Sequence, residues 1–90
     1  MSILKTCKFT QEALADYLEI KSQDAKMAEK IKKLIQNIMD TPFDGLGKPE
    51  PLKYSLTGCW SRRINQQHRL VYKVVDDGLQ IISCKYNYVK

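Results

Sequence analysis

The chain has 90 residues, 43% of them hydrophobic, and a formal net charge of +5 from 15 Lys and Arg against 10 Asp and Glu. That length suits one small domain, residues 1–90, near the lower limit for an independent core, and the apolar content argues against a disordered chain. No apolar run reaches membrane-spanning length, and Met1-Ser2-Ile3-Leu4-Lys5 lacks the core of a signal peptide.

Three cysteines (Cys7, Cys59, Cys84) without Cys-x-x-Cys spacing argue against a disulfide framework, and with a single histidine they argue against a zinc site; a reducing, cytoplasmic setting fits them. No cofactor or metal is expected. A small basic domain attracts polyanions, of which RNA and DNA are the usual ones, although Lys-rich helix faces can also be merely solvated.

Residues 2–8 read as a short first strand. Thr10 reads as an N-cap, with Glu12 in the first turn, and the helix that follows runs to about Lys21 with Ala13, Leu14, Tyr17 and Leu18 at helical spacing. Ser22 to Asp24 is a polar break that can cap a second helix. There Met27, Ile31, Leu34, Ile35 and Ile38 form one apolar stripe, and the Thr41-Pro42 step ends it. Two antiparallel helices are expected.

PFDGLGKPEP, residues 42–51, holds all three prolines and two of the four glycines. It predicts a stiff loop in which Pro49 and Pro51 bracket Glu50 and limit the backbone entropy lost on positioning that carboxylate. By composition alone Glu50 is an ordinary exposed connector residue. From Leu52 onward the pattern predicts strands over 52–55, 59–65, 69–75 and 79–86, with Asp76-Asp77-Gly78 as a hairpin turn whose glycine supplies the positive φ.

Alternation along these strands places Trp60, Ile64, Leu70, Tyr72, Val74, Ile82 and Cys84 against the helices. It places Arg63, Arg69, Lys73, Ser83, Lys85 and Asn87 on an open, cationic face. Arg62 breaks the apolar side and is expected near an edge, its stem snorkelling to solvent. The expected fold is α+β, two N-terminal helices on one face of a small, mainly antiparallel twisted sheet. A lone acid beside several cations suits a site that holds a phosphodiester and takes a proton from it.

The run PFDGLGKPEPLKYSLTGCWSRRINQQHRLVYKVVDDGLQIISCKYNY closely resembles the YoeB/Txe toxins of bacterial toxin–antitoxin modules, within the RelE-like superfamily. The KPEPLK, WSRRI and HRLVY segments together are highly specific, and the resemblance covers nearly the whole chain. It implies a ribosome-dependent endoribonuclease that enters the ribosomal A site and cuts the mRNA codon there. It implies a cognate antitoxin of the YefM/Axe type, with operator DNA bound only by the toxin–antitoxin pair. Family members can be dimeric, so a homodimer is a further assembly it allows; no membrane partner is expected.

The family's site carries over residue by residue. Glu50 matches the general base that takes the proton from the ribose 2′-OH, and Arg69 the arginine that stabilises charge on the attacked phosphate. Lys53 and Arg63 match basic residues lining that site; Arg62, Lys73 and Lys85 add cations to the expected RNA-binding surface. Tyr88 matches the tyrosine that normally ends the chain, although here Val89 and Lys90 follow it. The family's histidine before that tyrosine, read as general acid, is Asn87 here, and an amide donates a hydrogen bond without delivering a proton near neutral pH. The acid could then be Tyr88, Lys85 or water. The alternative reading is a weakened or inactive variant that binds ribosome or antitoxin and acts as a translation blocker or co-repressor. His68, the only histidine, alternates onto the face opposite Arg69 and reads as structural.

Overall fold

The computed structural model describes residues 2–87, except the Asn87 side chain. A short strand β1 (Thr6–Phe9) leads into helices α1 (Gln11–Gln23) and α2 (Ala25–Asp40). Four further strands follow: β2 (Glu50–Pro51), β3 (Trp60–Arg63), β4 (His68–Val75) and β5 (Gly78–Asn87). The sheet order is β1-β5-β4-β3-β2. Only β1 runs parallel to its neighbour, beside β5; the other pairings are antiparallel. The expected α+β arrangement, two helices over one face of a mainly antiparallel sheet, is found.

Both helices start on the residues expected. The Thr10 hydroxyl accepts from the Ala13 amide at 3.1 Å, and an Asp24 carboxylate oxygen accepts from the Met27 amide at 3.0 Å. Each satisfies an amide that the first helical turn leaves without a partner. The stripe of α2 buries Ala28, Ile31, Leu34 and Ile38 against Ile64, Leu70, Tyr72, Leu79, Ile81 and Cys84 of the β3–β5 region. On α1 the buried positions are Ala13 and Ile20, with Tyr17 beside them. Leu14 and Leu18, which the spacing grouped with that face, are exposed.

The strand expected over 52–55 is replaced by the two-residue β2 at Glu50–Pro51 and a 3-10 turn at Tyr54–Leu56. This segment folds back over the far side of the sheet, where Leu52, Cys59 and Val71 form a second small core with Leu56, Ile82 and Tyr86.

Simple alternation fails in β5. Arg69 pairs with Tyr86, Val71 with Ser83 and Tyr72 with Ile81, so β5 carries an extra residue at two consecutive steps. Each extra residue reverses the facing, so the stretch between the two is inverted, while Tyr86, past both, is back in step opposite Arg69. Ile81 and Cys84, three apart, therefore both reach the helices, while Ile82 turns to the small far core. In the β4–β5 hairpin the positive φ falls on Asp76 at 56°, not on Gly78. Gly78 answers a different need: it pairs with Thr6 of β1, and a Cβ there would lie 2.6 Å from the Thr6 hydroxyl oxygen.

Candidate active site

The stiff loop delivers Glu50 into the sheet. Glu50 pairs directly with Ser61 of β3, Ser61 with Val71 of β4, and Val71 with Ser83 of β5. Directly opposed residues share a face, so Glu50 and Ser61 lie on the side away from the helices. One step along, Arg63 opposes Arg69, which opposes Tyr86. Two cations directly across a strand pair repel; an anion between them would remove that cost.

Arg69 is nearly buried, at 7% exposure. Its Nε donates to the Ser61 hydroxyl at 2.8 Å, and its Nη2 to the Lys48 carbonyl at 3.0 Å. The same Nη2 lies 3.6 Å from Glu50 Oε1. That is an ion pair beyond hydrogen-bond distance, so the carboxylate is held near the guanidinium without being locked to it. Glu50 keeps 43% of its side chain in solvent. The arrangement offers a solvent-reachable proton acceptor beside a cation whose geometry is set by protein groups. Together they match the needs of a 2′-OH and the phosphate next to it.

Arg63, Lys53 and Lys73 are exposed, Arg63 and Lys73 on the Arg69 side of the sheet. Arg62 and Lys85 require correction. Arg62 has no exposed surface, so it lies neither at an edge nor on an RNA-facing surface. It points to the helix side, where its fork is consumed by the Tyr72 phenol, the Asn37 amide oxygen and loop carbonyls. Lys85 follows the bulges and pairs with Glu19 of α1 instead of joining the open face. Asn87 ends β5 in register with His68, next to the Arg69–Tyr86 pair. Tyr88, like Val89 and Lys90, lies outside the described residues.

Ser61 was missed by the reading of cations and acids, although alternation along β3 puts it on the same face as Arg63. It is the hydroxyl that orients the Arg69 guanidinium. His68 starts β4, and its Nδ1 is buried with no hydrogen-bond partner among the described residues. Among those residues no group of three His, Cys, Asp or Glu side chains gathers to hold a metal ion, and no helix is long and apolar enough to cross a membrane.

Comparison with known proteins agrees with this architecture. Residues 9–88 match the family model described as the YoeB-like toxin of the bacterial type II toxin–antitoxin system. The chain is 50% identical to "Toxin YoeB" of Escherichia coli K12 over 80 residues, 89% of this chain and 95% of that one. The YoeB dimer structure from Staphylococcus aureus is 45% identical, with a TM-score of 0.88 over 97% of this chain and 100% of that one. A heterotetrameric YoeB–YefM toxin–antitoxin complex from the same organism is 46% identical, with a TM-score of 0.85 over 94% and 98% of the two chains. A chain that shares this sheet, this helix pair and half its residues with such proteins belongs to the YoeB-like toxin family of bacterial type II toxin–antitoxin systems.

Proposed function

We propose that this toxin is a ribosome-dependent endoribonuclease that cuts mRNA in the A site, with Glu50 as general base and Arg69 as phosphate clamp. The observation that carries the reading is the Glu50–Arg69 pair, 3.6 Å apart on the face away from the helices, with the acid open and the cation pinned by Ser61. Glu50 takes the proton of a ribose 2′-OH, and the freed oxygen attacks the adjacent phosphorus. The P–O5′ bond breaks, leaving a 2′,3′-cyclic phosphate and a 5′-hydroxyl once a proton reaches O5′. Arg69 and Arg63 stabilise the charge that builds on the non-bridging oxygens; the planar guanidinium fork suits that task and stays charged. Lys53 and Lys73 attract the backbone. The ribosome orients the strand, which supplies the alignment that a shallow protein face does not.

The proton for O5′ has no family histidine to come from, because Asn87 stands at that position. This observation favours a second reading, a toxin that occupies the A site and stalls translation while cutting slowly. Tyr88, water and ribosomal groups are the remaining donors. The partner is a YefM-like antitoxin, acidic and folding on binding over the cationic face, in the cytoplasm. Self-association, as in the S. aureus YoeB dimer, and pairing with the antitoxin, as in the S. aureus heterotetramer, build the assembly, and operator DNA is bound only by the toxin–antitoxin pair.

Primer extension on programmed ribosomes tests both readings. The unaltered chain should give a cut at the A-site codon, and Glu50→Gln should lower that cleavage by roughly two to four orders of magnitude. Cleavage surviving Glu50→Gln would remove Glu50 from the role of base. An intact but stalled message, cut only after Asn87→His, would establish the stalling reading.

A further inference from the structure

Arg62 is buried without a carboxylate partner among the described residues, yet every N–H of its guanidinium is used. Nε donates to the Tyr72 phenol oxygen at 3.2 Å. Nη1 donates to Asn37 Oδ1 at 2.5 Å and the Leu46 carbonyl at 3.1 Å. Nη2 donates to the Thr41 carbonyl at 2.5 Å and the Asp44 carbonyl at 3.0 Å. The five donors of an arginine are thereby satisfied. Tyr72 extends the set, donating its own proton to the Pro42 carbonyl at 2.7 Å.

The acceptors share a destination. Thr41, Pro42, Asp44 and Leu46 are the first part of the loop that carries Glu50. The end of that loop is bound by the neighbours of Arg62: the Arg63 amide donates to the Gly47 carbonyl at 2.6 Å, and Arg69 Nη2 to the Lys48 carbonyl at 3.0 Å. The loop between turns through positive φ at Gly45, Gly47 and Lys48, a path that persists only where its surroundings hold it. Asn37 ties Arg62 to the loop a second time, since the Oδ1 that accepts from Arg62 also accepts from the Leu46 amide at 3.0 Å.

We infer that Arg62 is a positioning residue for the reaction. It gathers the loop carbonyls onto the helix side of β3 so that Glu50 emerges on the other side, within reach of Arg69. The inference rests on the nuclease reading of Glu50 and Arg69, and it gives the buried arginine of the WSRR motif a role distinct from that of its exposed neighbour. A lysine cannot replace it, having three donors and no fixed fork.

The test pairs a kinetic and a spectroscopic arm, using Tyr72→Phe, which keeps the packed ring and removes one acceptor of Arg62, and Arg62→Lys. Melting curves confirm that each variant is folded at the assay temperature. In the kinetic arm, kcat for A-site cleavage should fall on the order of tenfold to a hundredfold while KM for ribosomes stays within about twofold. In the spectroscopic arm, hydrogen exchange of the Arg63 amide and of the Arg69 Nη2 protons should speed up together, because they donate to the Gly47 and Lys48 carbonyls of the seated loop. Arg62→Lys should show the larger effect in both arms. If Tyr72→Phe lowers the melting temperature but leaves both exchange rates and kcat at the native values, Arg62 is a core strut and the inference is overturned. If Arg62→Lys does not fold, Tyr72→Phe decides alone. If the unaltered protein does not cut, the nuclease reading has failed by itself, and the exchange arm still decides whether Arg62 seats Glu50 against Arg69.

Discussion

Ser61 and Arg62 are neighbours on β3 with opposite duties. Alternation sends Ser61 to the open side, where its hydroxyl orients Arg69, and Arg62 to the helix side, where it gathers the loop. A buried guanidinium costs several kcal/mol of desolvation, which only a complete set of partners offsets. Tyr54 is a residue of another kind. Its φ is 60° and its side chain is 91% exposed, so it holds a left-handed backbone without a core contact to compensate. For a residue with a Cβ that conformation costs about 1–2 kcal/mol, and a glycine returns about 0.4–1 kcal/mol of this as unfolded-state entropy. Tyr54→Gly should therefore leave the fold intact and raise stability by roughly 0.5 kcal/mol, read as a higher urea midpoint at unchanged slope. A lower midpoint would mean that the ring contributes packing that its exposure conceals.

At the scale of elements, the loop before β2 is where sequence and site meet most closely. Gly47 has a φ of 80°, and a Cβ there would lie 3.0 Å from both the Arg63 carbonyl and a Leu34 methyl, and 3.1 Å from the Arg62 Cβ. Gly47→Ala should cost about 2 kcal/mol, from left-handed strain and from pushing the loop off β3. It should also reduce cleavage more than that stability loss explains, because the displaced segment ends in Glu50; native-like cleavage at a reduced melting temperature would separate the loop from the site. The two helices were legible from their caps and stripe, and Glu50 and Arg69 from their motifs. The small far core was not: Leu52 and Val71 read as strand residues, and only tertiary packing shows the 3-10 turn folding over them. Nor were the β5 bulges. ISCKY is as compatible with strict alternation as with two extra residues, and the choice is made by Ile81 and Cys84 both finding the helix core. Lys85 was misplaced for the same reason, and Arg62 because a lone arginine among apolar neighbours looks like a snorkelling edge residue until its acceptors are seen.

For the molecule as a whole, the two faces of the sheet divide the labour, and the helix side sets an alkaline limit on stability. Cys84 is fully buried, its thiol directed at the Ala13 carbonyl at 3.7 Å and its amide bonded to an Asp16 carboxylate oxygen at 3.2 Å. Burial first, and the Asp16 charge second, push its pKa up to about 12 from the ordinary 9.0. Burial raises the Tyr72 phenol as well, against the opposing pull of Arg62. The sign follows from which state keeps the proton. Below the unfolded-state value both states hold it, and the contribution to stability is complete. Above that value the unfolded chain releases the proton while the folded chain retains it, so stability declines as pH rises from about 9 towards 12. For Cys84 alone the loss between about pH 8 and about pH 10.5 is roughly 2 kcal/mol. Cys84→Ala should be less stable at neutral pH, from the cavity it leaves, but should lose about 2 kcal/mol less than the native chain over that interval. Denaturant titrations of both proteins at the two pH values measure the difference. Equal losses would show that other groups set the alkaline limit, whereas a smaller loss in the variant ties it to the thiol held between α1 and β5, on the side of the sheet away from Glu50 and Arg69.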